Sequence, residues 1–115
     1  DWDMYVGLIQ QGYKIANIPK AIFMYRFMNM DGIGAKVANM TPDEAVVRLR
    51  SADKHRVFLA EDNYRKRVAA QLLVYLPLKK QKVKWVFMSM RLAGFKWTVS
   101  HIAQVTAKKL RSRQA

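Results

Sequence analysis

The sequence contains no cysteine, which excludes a disulfide framework and a thiolate metal site and fits a reducing compartment. Long hydrophobic runs are missing too. The longest, residues 68–78, is interrupted by Gln71 and Pro77, and it falls well short of the roughly 20 apolar residues that a spanning helix needs. The third lack is one of sign, because no Asp or Glu occurs after Asp62. Residues 1–62 hold 8 basic and 8 acidic residues, whereas residues 63–115 hold 13 basic and none acidic, so the whole net charge of +13 belongs to the second part. Cations without internal partners attract polyanions: anionic lipid head groups, nucleic acid or an acidic protein face. What remains is ordinary for one folded domain, with 115 residues, 51% hydrophobic and 25% charged, enough to bury a core. The acidic start, where a secretory leader would be basic, predicts that no leader is present.

Periodicity predicts a mostly helical chain. In "DWDMYVGLIQQGYK" the residues Trp2, Tyr5, Val6, Leu8, Ile9 and Tyr13 recur near a 3.6-residue period, and Gly12 stands where a left-handed C-terminal cap is wanted. "KIANIPKAIFMYRF" is rich in Ile, Phe and Tyr, and predicts two short extended pieces, 15–18 and 21–26, with Pro19 at an edge or turn. "MNMDGIGAKVANM" has two glycines and no strong period, so it predicts a loop. "TPDEAVVRL" is a capping box, with Thr41 as N-cap, Pro42 at the first helical position and Glu44 three residues after Thr41. The helix begun there is expected to run towards Leu76, kinking near residues 51–53 and ending before Pro77. A further helix in "KQKVKWVFMSMRLAG" puts Val83, Val86, Phe87 and Met90 on one face and stops at Gly94. The last, from about Thr98 to Leu110, stripes Val99, Ile102, Val105 or Thr106, and Leu110.

Few residues suggest chemistry. Asp1 and Asp3, taken alone, are compatible with a hard-cation pair holding Mg²⁺ or Mn²⁺ against phosphate, and equally with acids in a first helical turn, the commoner arrangement. "DGIGAK" (residues 31–36) resembles a phosphate cradle only partly, because Val37 stands where a third glycine belongs. A plain loop, or a lid over an acceptor, fits it better. His55 and His101 lack flanking ligands at metal spacing and receive no role.

The order "DWD", "GY", "IP", "YR" has a further meaning. Residues 1–26 resemble a segment of the family 2 glycosyltransferases, enzymes of GT-A fold, in Asp1, Trp2, Asp3, Gly12–Tyr13, Ile18–Pro19 and Tyr25–Arg26. The resemblance implies the C-terminal part of an inverting glycosyltransferase, which moves a sugar from a nucleotide-sugar donor to a hydroxyl of a polysaccharide or lipid-linked glycan. It makes Asp1 the catalytic general base, Asp3 a helix cap or support for the acceptor site, and Arg26 a contact to the donor diphosphate. A divalent metal, Mg or Mn, is implied in the full enzyme, its ligands lying in a nucleotide-binding half that precedes this chain. Alone, the fragment is expected to be inactive. The histidine that many members carry shortly after "YR" has no counterpart in "FMNMDG".

The expected architecture is mostly α with a short β segment. Residues 1–40 would finish an α/β GT-A domain, and residues 41–115 would form a helical basic extension. In that extension Lys79, Lys80, Lys82, Lys84, Trp85, Arg91, Lys96 and Trp97 interleave cations with aromatics, as amphipathic helices at membrane interfaces do. An anionic membrane surface is the expected partner of this stretch, laid over simple helix packing. Nucleic acid ranks last, since long aliphatic stripes suit a core or acyl chains better than bases. The expected location is cytoplasmic, peripheral on the inner face of the membrane. The competing reading is a non-enzymatic basic helical module that binds anionic membranes or nucleic acid.

Overall fold

The computed structural model describes residues 2–21 and 33–114. Seven α-helices follow one another among them: α1 (Trp2–Gln10), α2 (Ile33–Ala38), α3 (Pro42–Arg48), α4 (Arg50–Lys54), α5 (Arg56–Leu73), α6 (Lys82–Leu92) and α7 (Phe95–Gln114), with a 3₁₀ turn, Leu76–Leu78, between α5 and α6.

The expected short β segment is overturned, and with it the α/β reading of the first 40 residues. Among the described residues there is no strand. Residues 13–19 carry no regular structure, and Lys20 N–H donates to the Ile18 carbonyl at 2.8 Å around Pro19, a tight turn that the fixed proline φ favours. Residues 22–26 of the second expected piece lie outside the described residues. A strand is held by its neighbour's ladder, and an unpaired one is not stable in water. Among the described residues there is no neighbouring strand, and Tyr13, Ile15 and Ile18 are all more than half exposed. The glycine-containing stretch expected to be a loop is in part helical, since α2 takes up residues 33–38, and Asn39 Nδ2 closes its end by donating to the Ala35 carbonyl at 3.0 Å.

Where local chemistry dictates a helix end, the chain obeys it. Gly12 adopts φ +90°, its N–H donates to the Ile9 carbonyl at 3.0 Å, and Tyr13 N–H reaches the Leu8 carbonyl at 3.1 Å. These two bonds are the Schellman closure that glycine permits. Gly94, at φ +94°, ends α6 with a bond from its N–H to the Met90 carbonyl at 3.1 Å. The Thr41 box is complete: Glu44 N–H donates to Thr41 Oγ1 at 3.3 Å and Thr41 N–H to Glu44 Oε2 at 2.8 Å. The long helix expected from Thr41 is instead three pieces, broken at Leu49 and His55. The last of them bends again at Ala60, whose φ of +60° and ψ of 164° are far from helical.

The core gathers Ala45 and Leu49 with Ala52, Val68, Ala69, Leu72, Trp85 and Ala93, so α3 to α6 meet around the indole of Trp85. The face of α6 expected to be buried is the exposed one: Val83 is 82% and Phe87 68% exposed, while Trp85 and Ser89 turn inward at 1% and 0%. Ser89 is small enough to let α7 approach. Thr98 Oγ1 donates to the Gly94 carbonyl at 2.9 Å and lies 2.8 Å from Ser89 Oγ. With its one proton so committed, Thr98 accepts from Ser89.

Candidate functional site at the α1 junction

Trp2 and Asp3 serve to dock α1. Asp3 lies in the first turn of α1. It accepts a hydrogen bond from His55 Nε2, the residue between α4 and α5, and one from Lys54 Nζ at 3.3 Å. These bonds, from His55 first and Lys54 second, hold the Asp3 carboxyl below its ordinary value. His55 is 3% exposed, so an acceptor for its ring nitrogen is a requirement of burial. Trp2 packs edge-on to the same imidazole with ring centroids 5.7 Å apart, and the Arg67 guanidinium stacks over the Trp2 ring at 4.3 Å. Val6 completes the contact as the buried residue of α1. His55 is a residue that sequence reasoning leaves without a role; its partner is 52 positions away, beyond any local spacing signal.

Asp1 and Arg26, the general base and the diphosphate contact of the resemblance, lie outside the described residues. Among the described residues no group of three His, Asp or Glu side chains could hold a metal ion, so no step is derived through the metal that the resemblance implies. Ion pairs elsewhere are structural. Glu61 accepts from Arg56 Nη2 at 3.0 Å and from Arg65 Nε at 2.8 Å, bridging the bend at Ala60, and Tyr64 O–H donates to Asp53 Oδ1 at 2.6 Å.

The basic residues proposed for a membrane surface divide. Lys79 and Trp85 leave the set, because both are buried and neither can reach a surface partner. Lys79 Nζ donates to the Leu72 carbonyl at 2.9 Å and sits 3.6 Å from the centre of the Trp85 ring. Burial pulls its pKa down to about 8. A carbonyl and a π face compensate the ammonium in place of a carboxylate. Lys80, Lys82, Lys84, Arg91 and Lys96 stay exposed, and Trp97 is half-buried between Lys66 and Lys96, whose ammonium groups lie 4.8 and 4.7 Å from its ring centre. The exposed side of α6 carries Val83, Lys84, Phe87 and Arg91, with Lys80 just before the helix, along one groove of about 710 Å³. Its spacing is that of a single helix face, half apolar and half cationic. Among the described residues no helix is long and apolar enough to cross a membrane.

Compared with protein-family models, curated proteins and solved structures, the chain matches none.

Proposed function

We propose that the chain is the C-terminal part of an inverting glycosyltransferase that carries a sugar from a nucleotide donor to a glycan hydroxyl. The observation that carries this reading is the ordered set Asp1, Trp2, Asp3, Gly12–Tyr13, Ile18–Pro19 and Tyr25–Arg26. Its support in the fold is the helix ended by a Gly12–Tyr13 closure and followed by a chain with uncovered Tyr13, Ile15 and Ile18, side chains that the donor-binding half of such an enzyme would cover. In this reading Asp1 takes the proton of the acceptor hydroxyl as that oxygen attacks the anomeric carbon, the nucleoside diphosphate leaving from the opposite face. The Asp3–His55 contact supports the helix immediately behind it. Arg26 steadies the departing diphosphate, the planar charge recognition for which guanidinium is suited. The divalent metal would be held by residues outside this chain.

The test is Asp1→Asn in the full-length enzyme, with nucleotide release measured against acceptor concentration. Loss of a general base lowers kcat by about 10²–10⁴. Turnover at the parent rate would remove Asp1 from the chemistry and the reading with it.

A second reading concerns placement, and one observation favours it: the exposed Val83 and Phe87 of α6 stand between Lys80, Lys84 and Arg91. Such a face suits the interface of an anionic bilayer, where each cation contributes about 1 kcal/mol. It would place the protein on the inner face of a membrane in the cytoplasm. Sedimentation with phosphatidylglycerol vesicles, lost on Phe87→Ser and absent with phosphatidylcholine, is the expected result. Equal partition into both kinds of vesicle counts against it.

A further inference from the structure

The C-terminal part of α5, the 3₁₀ turn and the middle of α7 enclose a second groove of about 860 Å³. Its walls are apolar, built chiefly by Leu73, Leu76, Ile102 and Val105. Ligand sites have this volume and this lining, with a few polar groups at one place.

Its polar lining is Arg67 and Gln71, one helical turn apart on α5, with Tyr75, His101 and Thr106 elsewhere along the walls. Arg67 Nε and Gln71 Oε1 are buried and have no hydrogen-bond partner. Gln71 uses its amide nitrogen on the Arg48 carbonyl at 3.2 Å, so its oxygen remains. Arg67 stacks its plane on Trp2. Stacking leaves the in-plane N–H donors of a guanidinium unspent. A half-buried cation without an anion is costly, and the C-terminal part of α5, the 3₁₀ turn and α7 carry no acidic side chain that could provide one.

We infer that this groove binds a single-chain amphiphile, its hydrocarbon along Leu73, Leu76, Ile102 and Val105 and its anionic head group on Arg67. The inference does not depend on the glycosyl-transfer reading. The charge asymmetry of the chain selects the head group, because Arg67 lacks an internal counter-ion. The apolar walls of Leu73, Leu76, Ile102 and Val105 select the tail. Neither half of the ligand satisfies the site alone.

The test is titration calorimetry of the 115-residue chain with three probes: decyl phosphate below its micelle concentration, decanol, and inorganic phosphate. Decyl phosphate is expected to bind at least about tenfold more tightly than decanol, a difference of one charge-assisted contact, and inorganic phosphate to give no heat. Arg67→Met should erase the preference for decyl phosphate over decanol and leave decanol binding as it was. Val105→Trp fills the groove from a position that is 44% exposed, so the fold tolerates it; it should weaken both alkyl probes about tenfold or more. The inference fails if decyl phosphate shows no advantage over decanol, if inorganic phosphate binds as well as decyl phosphate, or if Val105→Trp, folded by circular dichroism, binds with unchanged affinity.

Discussion

Residues 2–21 and residues 42–114 are held by opposite means. The first segment touches the rest of the protein through one indole, one carboxylate and the buried Val6, leaving Met4, Tyr5, Ile9, Tyr13, Ile15 and Ile18 largely uncovered. The second surrounds a tryptophan with four helices and satisfies its inward-facing polar groups at Lys79, Ser89 and Thr98 internally. The difference teaches that a helix can be positioned by a few directional contacts while contributing little to the stability of what it is docked on. Local opening is expected to follow that division.

The contrast is tested most severely at Trp85. Replacing it with alanine empties the centre of the core, and large aromatic truncations of this kind cost about 3–5 kcal/mol. Urea denaturation should show the helices of residues 42–114 losing their cooperative transition or shifting it strongly downward. A midpoint unmoved by Trp85→Ala would end the claim that this region is the stable one. Next in size is Thr98→Val. It strands the Ser89 hydroxyl between α6 and α7, for about 1–3 kcal/mol, and the double variant with Ser89→Ala should cost less than the two single changes added together.

Lys79 sharpens the comparison through pH. Its pKa in the folded chain is pulled down to about 8 from 10.5, so between these values the unfolded chain holds the proton that the native chain has released. Stability therefore rises with pH across that window, and the burden of the buried charge is present in full below it. Over pH 7.5–9.5 the gain should be roughly 1–2 kcal/mol at about 1.4 kcal/mol per pKa unit, and Lys79→Met should lack it. Parallel pH dependence of the two urea midpoints would show that the ammonium is solvated. The smallest global effect belongs to Asp3→Asn. The main melting transition should stay where it is, while amide exchange in α1 accelerates. A fall in the main transition as large as that of Trp85→Ala would make the two regions one unit.

Legibility in the sequence followed the range of the interactions. Thr41 with Glu44, Gly12, Gly94 and the stop before Pro77 could be read because each is decided within about five residues. The buried face of α6 could not. Val83, Val86, Phe87 and Met90 outnumber Trp85 on a helical wheel, yet one indole fills more core than any of them, and Ser89 earns its inward place by being small beside Thr98. Lys79 and Trp85 looked like an interfacial pair for the same reason, since sequence spacing does not tell a lysine over a buried ring from one over a wet ring. At the α1 junction, the acidic start was legible as a helix beginning. Its partner His55 was not, because a contact across 52 residues leaves no periodic trace. The extended pieces failed for want of a neighbour, as β propensity describes a place in a sheet more than a property of the chain.

The one-sided placement of carboxylates has a consequence for acid. Every ion pair among the described residues draws its negative partner from Asp3 or Glu61, and both carboxyls are held below their ordinary values by the side chains hydrogen-bonded to them. What they contribute is present above the usual carboxylate range and disappears as the medium is acidified through those lowered values. Helices α6 and α7 carry no acidic side chain, but His101 of α7, held below its ordinary value by burial and by Lys108, also takes up a proton on acidification. Acidification should therefore free the opening helix and the bend beside Ala60 as Asp3 and Glu61 protonate, and load the half-buried imidazole of α7 with charge as well.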